Sequence, residues 1–298
     1  VFDGKLLTFC DRTGNCDELL LSQDKYSGKT LVHAVPLIDG EGNHVCIPMG
    51  DGQKVKPLKV EWATQTNGKL LIGSTGKERT DDDGKIVHEG EMWTKILEPK
   101  TFLLTHVDSR PHYAAMRDAA ICPQGAGYMI HESGRWSEVH NRFFFLPRKM
   151  SREPYDEVID RSKCVNLMFA LPAPSGKDPK DHAKDIYMQD YLGCTAGVRG
   201  CSDFLFVPGT NDCHLFLLRT EETIDDVLNS YGSVVDLQGN VLMKETLVGK
   251  DRKFEGAAWL SGFAHFPGEI HQPPSVPRGC GRSNPAAGDD AAGPCFVS

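Results

Sequence analysis

The chain has 298 residues, of which 40% are hydrophobic and 25% charged, and its net charge is −8. Its length and composition are ordinary for a globular protein that buries a sizeable core as one large or two small domains. The acidic balance argues against a nucleic-acid polymer as partner, because surfaces that follow phosphates carry a basic excess. No apolar run reaches the ~20 residues of a membrane-spanning helix.

Short strand patterns dominate the chain. Apolar or alternating runs predict strands at Leu6–Phe9, Glu18–Leu21, Leu70–Ile72, Phe143–Leu146, Val165–Leu171, Phe204–Val207, His214–Leu218, Ser233–Leu237 and Val241–Lys244. Dipeptides such as Asn67-Gly68 supply the positive φ angles of tight hairpins. One helix is predicted near Arg110–Ala120, with Pro111 in its first turn. So many short strands with so little helix predict an all-β sandwich, barrel or propeller.

Two segments differ in composition from the rest. Residues 172–196 are rich in Pro, Gly, Lys and Asp, which predicts a surface insertion. Residues 261–298 combine Pro, Gly and Ala with almost no apolar period, and we expect this low-complexity tail to be disordered or peripheral. The folded domain is therefore predicted to span residues 1–260.

The ten cysteines form no Cys-x-x-Cys pair, which argues against a zinc site. Their number permits disulfides in an oxidising compartment. Buried free thiols are the alternative, and the sequence leaves both open.

Residues 131–149 combine polar side chains with an aromatic strand. A polar group that contains Glu132 and Ser133 comes first, the predicted strand Phe143–Leu146 follows, and the basic pair Arg148-Lys149 ends the stretch. This stretch belongs to an ordered set of motifs: FDGKLLTFCDRTG (2–14), KVEW (59–62), LIGSTGKE (71–78), GYMIHESGRWSEVHNRFFFLPRK (127–149), GCSDFLFVPGT (200–210) and KFEG (253–256). In order and approximate spacing, the set resembles the calcium-activated nucleotidase family, the soluble apyrases of animals and blood-feeding arthropods.

The resemblance implies a five-bladed β-propeller with a calcium ion in its central tunnel, and the N-terminal blade of this chain is expected to be truncated. The implied activity is hydrolysis of nucleoside di- and triphosphates, such as UDP, GDP and ADP, to a nucleoside phosphate and inorganic phosphate. The implied location is the secretory pathway, in the endoplasmic reticulum or Golgi lumen, or outside the cell; a homodimer is left open. The alternative function is a non-catalytic, calcium-binding propeller that acts as a binding module.

The resemblance also assigns metal ligands. They fall on Cys10 through its backbone carbonyl, Asp11, Glu61, Glu132, Ser202 and Glu255. Oxygen donors of this kind suit Ca²⁺. Their regular separations, between 50 and 71 residues from Asp11 onward, indicate one ligand per blade, near the start of an inner strand. Glu61 and Glu132 each lie beside apolar or aromatic residues. A carboxylate held in such surroundings must be paired with a cation or bind a metal ion.

Three basic residues, Arg12, Lys77 and Arg148, are candidates to bind phosphate, since phosphate oxygens need cations at fixed positions. Ion pairing within the protein is the alternative, for Arg148 with Glu132 or Glu153. For catalysis we expect Arg148 to clamp phosphate and Glu132 or Asp11 to orient the attacking water.

Two aromatic motif residues have structural alternatives. Trp62 is a candidate to stack on a base, although tunnel packing is favoured. His131 resembles a general base, but strand alternation places it on the opposite face from Glu132, which favours packing between blades.

Overall fold

The computed structural model describes residues 1–27, 29–53, 56–81, 85–122, 124–156, 158–172, 186–190, 197–223 and 228–259. The predicted tail from residue 261 onward lies outside the described residues. The described chain is all-β apart from one α-helix and two short 3₁₀ turns, and its strands form four blades in a β-propeller arrangement.

The blades follow one another along the chain, and each is an antiparallel sheet in which the strands are hydrogen-bonded in sequence order. Blade A contains β1 (Leu7–Phe9), β2 (Cys16–Gln23) and β3 (Thr30–Pro36). Blade B begins with β4 (Trp62–Thr66) and β5 (Lys69–Gly73), is interrupted by a separate hairpin of β6 (Arg79–Thr80) and β7 (Ile86–His88), and ends with β8 (Trp93–Leu97) and β9 (Leu104–Asp108). The helix α1 (Arg110–Ala119) leads to blade C.

Blades C and D are complete four-stranded sheets. Blade C consists of β10 (Tyr128–Ser137), β11 (Arg142–Ser151), β12 (Leu167–Pro172) and β13 (Tyr187–Asp190). Blade D consists of β14 (Arg199–Phe206), β15 (His214–Glu222), β16 (Leu228–Asp236) and β17 (Val241–Lys250). The strand β13 lies within the segment 172–196, for which the sequence predicted a surface insertion; most of the remainder of that segment lies outside the described residues.

Hydrophobic packing between blades follows from the alternation of side chains along a strand. In β11, Phe143 and Phe145 join the buried cluster between blades B and C, whereas Phe144 and Leu146 join the cluster between blades C and D. Successive side chains of a strand point to opposite faces, so a run of four apolar residues is what a blade covered on both faces requires. The innermost strand β10 accordingly packs beside both β4 and β14, the first strands of the adjoining blades.

The nine predicted strands and the predicted helix are all present. The Asn67-Gly68 turn joins β4 to β5 with φ angles of 51° and 73°, as a tight two-residue hairpin requires. None of the described helices has the length and hydrophobicity that a membrane crossing requires.

The described cysteines include both free thiols and a disulfide-bonded residue. Cys10, Cys16, Cys46, Cys122, Cys164 and Cys201 are free thiols. Cys213 is disulfide-bonded.

Candidate metal centre and active site

Three β-bulges bring polar side chains together on the inner strands. In β10, one residue more than in β11 lies between the pairs His131–Pro147 and Gly134–Phe145, so Glu132 and Ser133 have no opposite partner. In β11, Arg148 is the extra residue between the pairs Ile130–Lys149 and His131–Pro147. Ser202 is likewise the extra residue of β14. Because a bulge bends the strand and turns a side chain out of the regular alternation, these bulges can direct Glu132, Arg148 and Ser202 to one place.

The buried guanidinium of Arg148 joins these residues. Its Nη1 donates hydrogen bonds to Oε2 of Glu132 and, at 3.0 Å, to Oγ of Ser202, while Nη2 donates to Oε2 of Glu222 at 2.7 Å. The Ser202 hydroxyl also shares a 2.6 Å hydrogen bond with Oγ1 of Thr220. The side chain of Arg148 is only 2% exposed, so both carboxylates have a counter-ion that is itself out of water.

A second cation extends this network to the last predicted ligand. The ammonium of Lys253 lies 3.0 Å from Oε1 of Glu222 and 2.9 Å from Oε1 of Glu255. Residues 252–259 leave β17 and return along β14: the amide of Ala257 donates to Oδ2 of Asp203, and Nε1 of Trp259 donates to the carbonyl of Phe206. Glu255 is thus held beside the innermost strand of blade D, although it follows β17.

Glu61 is linked to these residues by charge. Its Oε1 lies 2.6 Å from Nζ of Lys59, but this oxygen accepts no hydrogen bond of regular geometry from any residue that the structure describes. Burial, followed by the charge of Glu132, raises the pKa of Glu61 to about 7, and the charge of Glu255 acts in the same direction. The ammonium of Lys59 opposes this rise and also feels the charges of Glu132 and Asp11. The predicted acidic ligands therefore share one electrostatic environment.

We name this group the carboxylate cluster: Asp11, Glu61, Glu132, Glu222 and Glu255 with their cations Lys59, Arg148 and Lys253. When all are ionised, five acids and three bases leave it two charges negative. Within the described ranges, no three His, Cys, Asp or Glu side chains converge closely enough to hold a metal ion. The donors are nevertheless hard oxygens, and the carboxylates outnumber the cations beside them, so the chemistry of the cluster fits Ca²⁺.

The N-terminal motif lies at the exposed side of the cluster. Asp11 and Arg12 are exposed in the turn after β1. The backbone carbonyl of Cys10 accepts a hydrogen bond from the amide of Gly14 at 2.8 Å, and a carbonyl oxygen has a second lone pair for a further partner. The expectation that each ligand lies near the start of an inner strand holds for Glu61, directly before β4, but Asp11 follows β1 and Glu132 and Ser202 lie within β10 and β14.

Two predicted substrate-binding residues lie away from these contacts. The ammonium of Lys77 donates to the carbonyl of Glu78 at 3.0 Å and lies 5.1 Å from the ring centre of Tyr155. Desolvation lowers the pKa of Lys77, and the charges acting on it belong to Glu78, Glu91, Arg79 and Arg117. Trp62 is buried against Phe145 and donates through Nε1 to the carbonyl of Ser74 at 3.0 Å. Its contacts are those of packing between blades.

His131 is likewise packed. Its ring lies 5.4 Å, between centroids, from both Tyr113 and Phe145, and its backbone amide donates to the carbonyl of Thr75. Burial, with a smaller contribution from the charge of Arg117, lowers the pKa of His131 to about 3. The ring is therefore neutral, as the prediction of packing between blades requires.

Sequence reasoning missed Lys59, Lys253 and Glu222. The two lysines had a visible signal, since Lys59-Val60-Glu61 and Lys253-Phe254-Glu255 repeat the same Lys-x-Glu spacing in the quoted motifs. Residues i and i+2 of an extended chain lie on one side, which places each ammonium beside its carboxylate. Glu222, at the end of β15, carried no comparable signal.

Comparison with known proteins agrees with these motifs. The family model described as Apyrase matches residues 1–260. The chain is 35% identical to an apyrase of Cimex lectularius over 259 residues, 87% of this chain and 63% of that protein. It is 33% identical to apyrase apy-1 of Caenorhabditis elegans, covering 65% of it, and 33% identical to soluble calcium-activated nucleotidase 1 of Rattus norvegicus, covering 57% of it. The chain thus spans roughly three fifths of the length of these relatives. It belongs to the apyrase family.

Proposed function

We propose that the protein hydrolyses nucleoside di- and triphosphates, including UDP, GDP and ADP, in a calcium-dependent reaction. The observation that carries the proposal is the carboxylate cluster, in which acids from four blades and from the segment after β17 surround one set of cations. The names of the relatives, apyrase and soluble calcium-activated nucleotidase, support both the reaction and the metal.

The residues proposed to hold Ca²⁺ are Asp11, Glu61, Glu132, Ser202 and Glu255, with the backbone carbonyl of Cys10. Bound calcium would supply positive charge that polarises phosphate oxygens. An excess of two negative charges suits a divalent cation, and ligand charge is a main determinant of calcium affinity. The raised pKa of Glu61 adds a pH dependence, because a ligand carboxylate must lose its proton before it can bind a metal.

The basic residues of the cluster are proposed to receive the phosphate groups. Arg148 presents a planar donor array whose position is set by a buried strand and three protein hydrogen bonds, so little entropy is lost when it binds an anion. Arg12 is exposed next to Asp11 and can contact the substrate from the open side. Glu132 or Asp11 would orient the attacking water. We do not extend this role to Lys77 or Trp62, whose contacts lie elsewhere.

A fifth blade is proposed to lie beside blade D. Residues 257–259 already bond to β14 at Asp203 and Phe206, the position that the innermost strand of a following blade would take. A disulfide at Cys213 suits an oxidising compartment, which supports a location in the secretory pathway or outside the cell.

The experiment is a phosphate-release assay with UDP, GDP and ADP, comparing Ca²⁺, Mg²⁺ and a chelator. Calcium-dependent release is expected, and Arg148→Lys, which keeps the charge but loses the planar fork, should reduce it sharply. A matched control is Lys77→Met, which removes a charge outside the cluster and should leave turnover within twofold. If calcium raises the melting temperature while no phosphate is released, the protein is a calcium-binding module and the proposed hydrolysis is wrong.

A further inference from the structure

The second strand of blade D contributes two polar side chains to the surroundings of the carboxylate cluster. Thr220 and Glu222 of β15 are two residues apart, so they lie on the same side of the strand. Oε2 of Glu222 accepts a hydrogen bond from Nη2 of Arg148 at 2.7 Å, and Oγ1 of Thr220 lies 2.6 Å from Oγ of Ser202. Glu222 is explained by its two ion pairs, whereas Thr220 is uncharged and contacts one proposed calcium ligand.

The two hydroxyl groups of this contact are fully buried, and Ser202 has a second partner. Nη1 of Arg148 lies 3.0 Å from Oγ of Ser202, and a guanidinium can only donate. One of the two lone pairs of Ser202 is therefore occupied by Arg148. Its other lone pair and its proton remain, and either hydroxyl can be the donor in the contact with Thr220.

The direction of that hydrogen bond decides whether the serine oxygen can hold a cation. If Thr220 donates, both lone pairs of Ser202 are used, and the serine proton occupies the position that a metal ion needs. If Ser202 donates to Oγ1 of Thr220, one lone pair stays open. A bound cation repels the serine proton, and Thr220 is the acceptor that the structure places beside it.

We propose that Thr220 is a positioning residue of the calcium site, whose oxygen accepts the proton of Ser202 and so keeps a lone pair of the serine open to the metal. The inference rests on the proposed function, because it takes Ser202 as a ligand. Groups that orient a metal ligand through a hydrogen bond typically change metal affinity by about 10–100-fold when they are replaced. Thr220 is thus expected to control calcium affinity without being a ligand itself.

The test measures calcium affinity by titration calorimetry in the absence of nucleotide. Thr220→Val keeps the shape of the side chain but removes the acceptor, and it should weaken calcium binding about tenfold. Thr220→Ser keeps the hydroxyl and should retain most of the affinity. The matched control is Thr94→Val, because Oγ1 of Thr94 forms an equally buried 2.7 Å hydrogen bond with Oγ of Ser109 in blade B. This control should lose stability in chelator as Thr220→Val does, but its calcium affinity should equal that of the wild-type chain.

If Thr220→Val does not fold, Thr220→Ala and its control Thr94→Ala, which also lack the hydroxyl, take the place of the two valine variants. A double-mutant cycle shows whether Thr220 acts through Ser202: in the Ser202→Ala background, loss of the threonine hydroxyl should reduce calcium affinity no further.

Three results would overturn the inference and leave the proposed function in place: wild-type calcium affinity without the Thr220 hydroxyl, an equal loss in the Thr94 control, or full additivity with Ser202→Ala. Failure of the wild-type chain to bind calcium would instead refute the proposed metal site, and the role of Thr220 with it.

Discussion

Replacement of Arg148 by Met tests the ion pairs that organise the carboxylate cluster. The substitution removes the buried cation that contacts Glu132, Ser202 and Glu222, but keeps an unbranched side chain of comparable length. Removing one partner of a buried ion pair costs about 3–5 kcal/mol, because the remaining charge is left uncompensated. Here that charge belongs to Glu132, whereas Glu222 keeps its ion pair with Lys253. We expect the free energy of unfolding, measured by urea denaturation in chelator, to fall by about this amount.

Calcium should restore part of this loss. The proposed metal binds the same carboxylate of Glu132 that Arg148 contacts, so the cation and the metal repel one another. At an effective dielectric constant near 20, charges separated by several ångströms interact by a few kcal/mol. Saturating calcium should therefore stabilise Arg148→Met by about 1–3 kcal/mol more than it stabilises the wild-type chain.

The matched control is Arg219→Met. Arg219 is equally buried, and it donates to Oε1 of Glu245 at 2.9 Å and to Oδ1 of Asn166 at 2.7 Å, which are not members of the cluster. This variant should lose a similar amount of stability in chelator but gain no more from calcium than the wild-type chain does. If calcium stabilises all three proteins equally, Arg148 and calcium do not share a carboxylate and the assignment of Glu132 as a ligand is refuted.

Three other changes test separate parts of the structure. Burial raises the pKa of Glu61 in the native state from 4.5 to about 7, so in chelator this group destabilises the fold increasingly as the pH rises through that interval. The stability of Glu61→Gln relative to wild type should therefore increase by roughly 2–3 kcal/mol between pH 4.5 and pH 7.5, and a difference that is independent of pH would contradict the raised pKa. Glu132→Gln preserves the shape of the side chain but removes one ligand charge, so calcium affinity, measured by calorimetry, should fall at least tenfold, and the rate of hydrolysis should fall with it. Unchanged calcium affinity would show that Glu132 is not a ligand. Gly134→Ala would place a Cβ atom 2.6 Å from Cε1 of Phe145 and 3.0 Å from Cδ2 of Trp62. This clash should lower the stability measured by thermal denaturation by about 1–3 kcal/mol. The control Gly209→Ala has open space around the new Cβ but a φ of 78°, so it tests backbone strain alone.

The strands that the sequence predicted share a simple signal. Phe143–Leu146 is a continuous apolar run because blade C is covered on both faces, by the hydrophobic clusters that it shares with blades B and D. The strand β10, Tyr128–Ser137, was not predicted as a strand, since its apolar period is interrupted by the polar residues of the candidate site. The sequence pattern of a strand is expected to be least regular where its side chains are required for chemistry, because those positions are not chosen for packing.

The sequence predicted the candidate ligands of the cluster, but it predicted neither the two lysines and Glu222 nor the arrangement of these residues. Resemblance assigned Glu61, Glu132 and Ser202 one by one, and the structure places them in a common electrostatic environment. The bulges at Glu132, Arg148 and Ser202 depend on how two neighbouring strands are aligned, and a single strand's sequence does not specify that register. For Arg148 two ion-pair partners were considered: Glu132 is a partner, whereas Glu153 lies 3.7 Å from Lys163 instead.

The alternation of charge across the cluster has a chemical consequence. From Glu132 the ion pairs run through Arg148, Glu222 and Lys253 to Glu255, so every acid there has a cation beside it and every cation has two acids. A divalent cation bound to the outer acids would compete with these side chains for the carboxylate oxygens. Part of the positive charge of Arg148 and Lys253 would then become available to an anion, and phosphate is the anion that a guanidinium fork fits best. Metal binding and phosphate binding are thus expected to reinforce each other, because both draw on the same set of ion pairs.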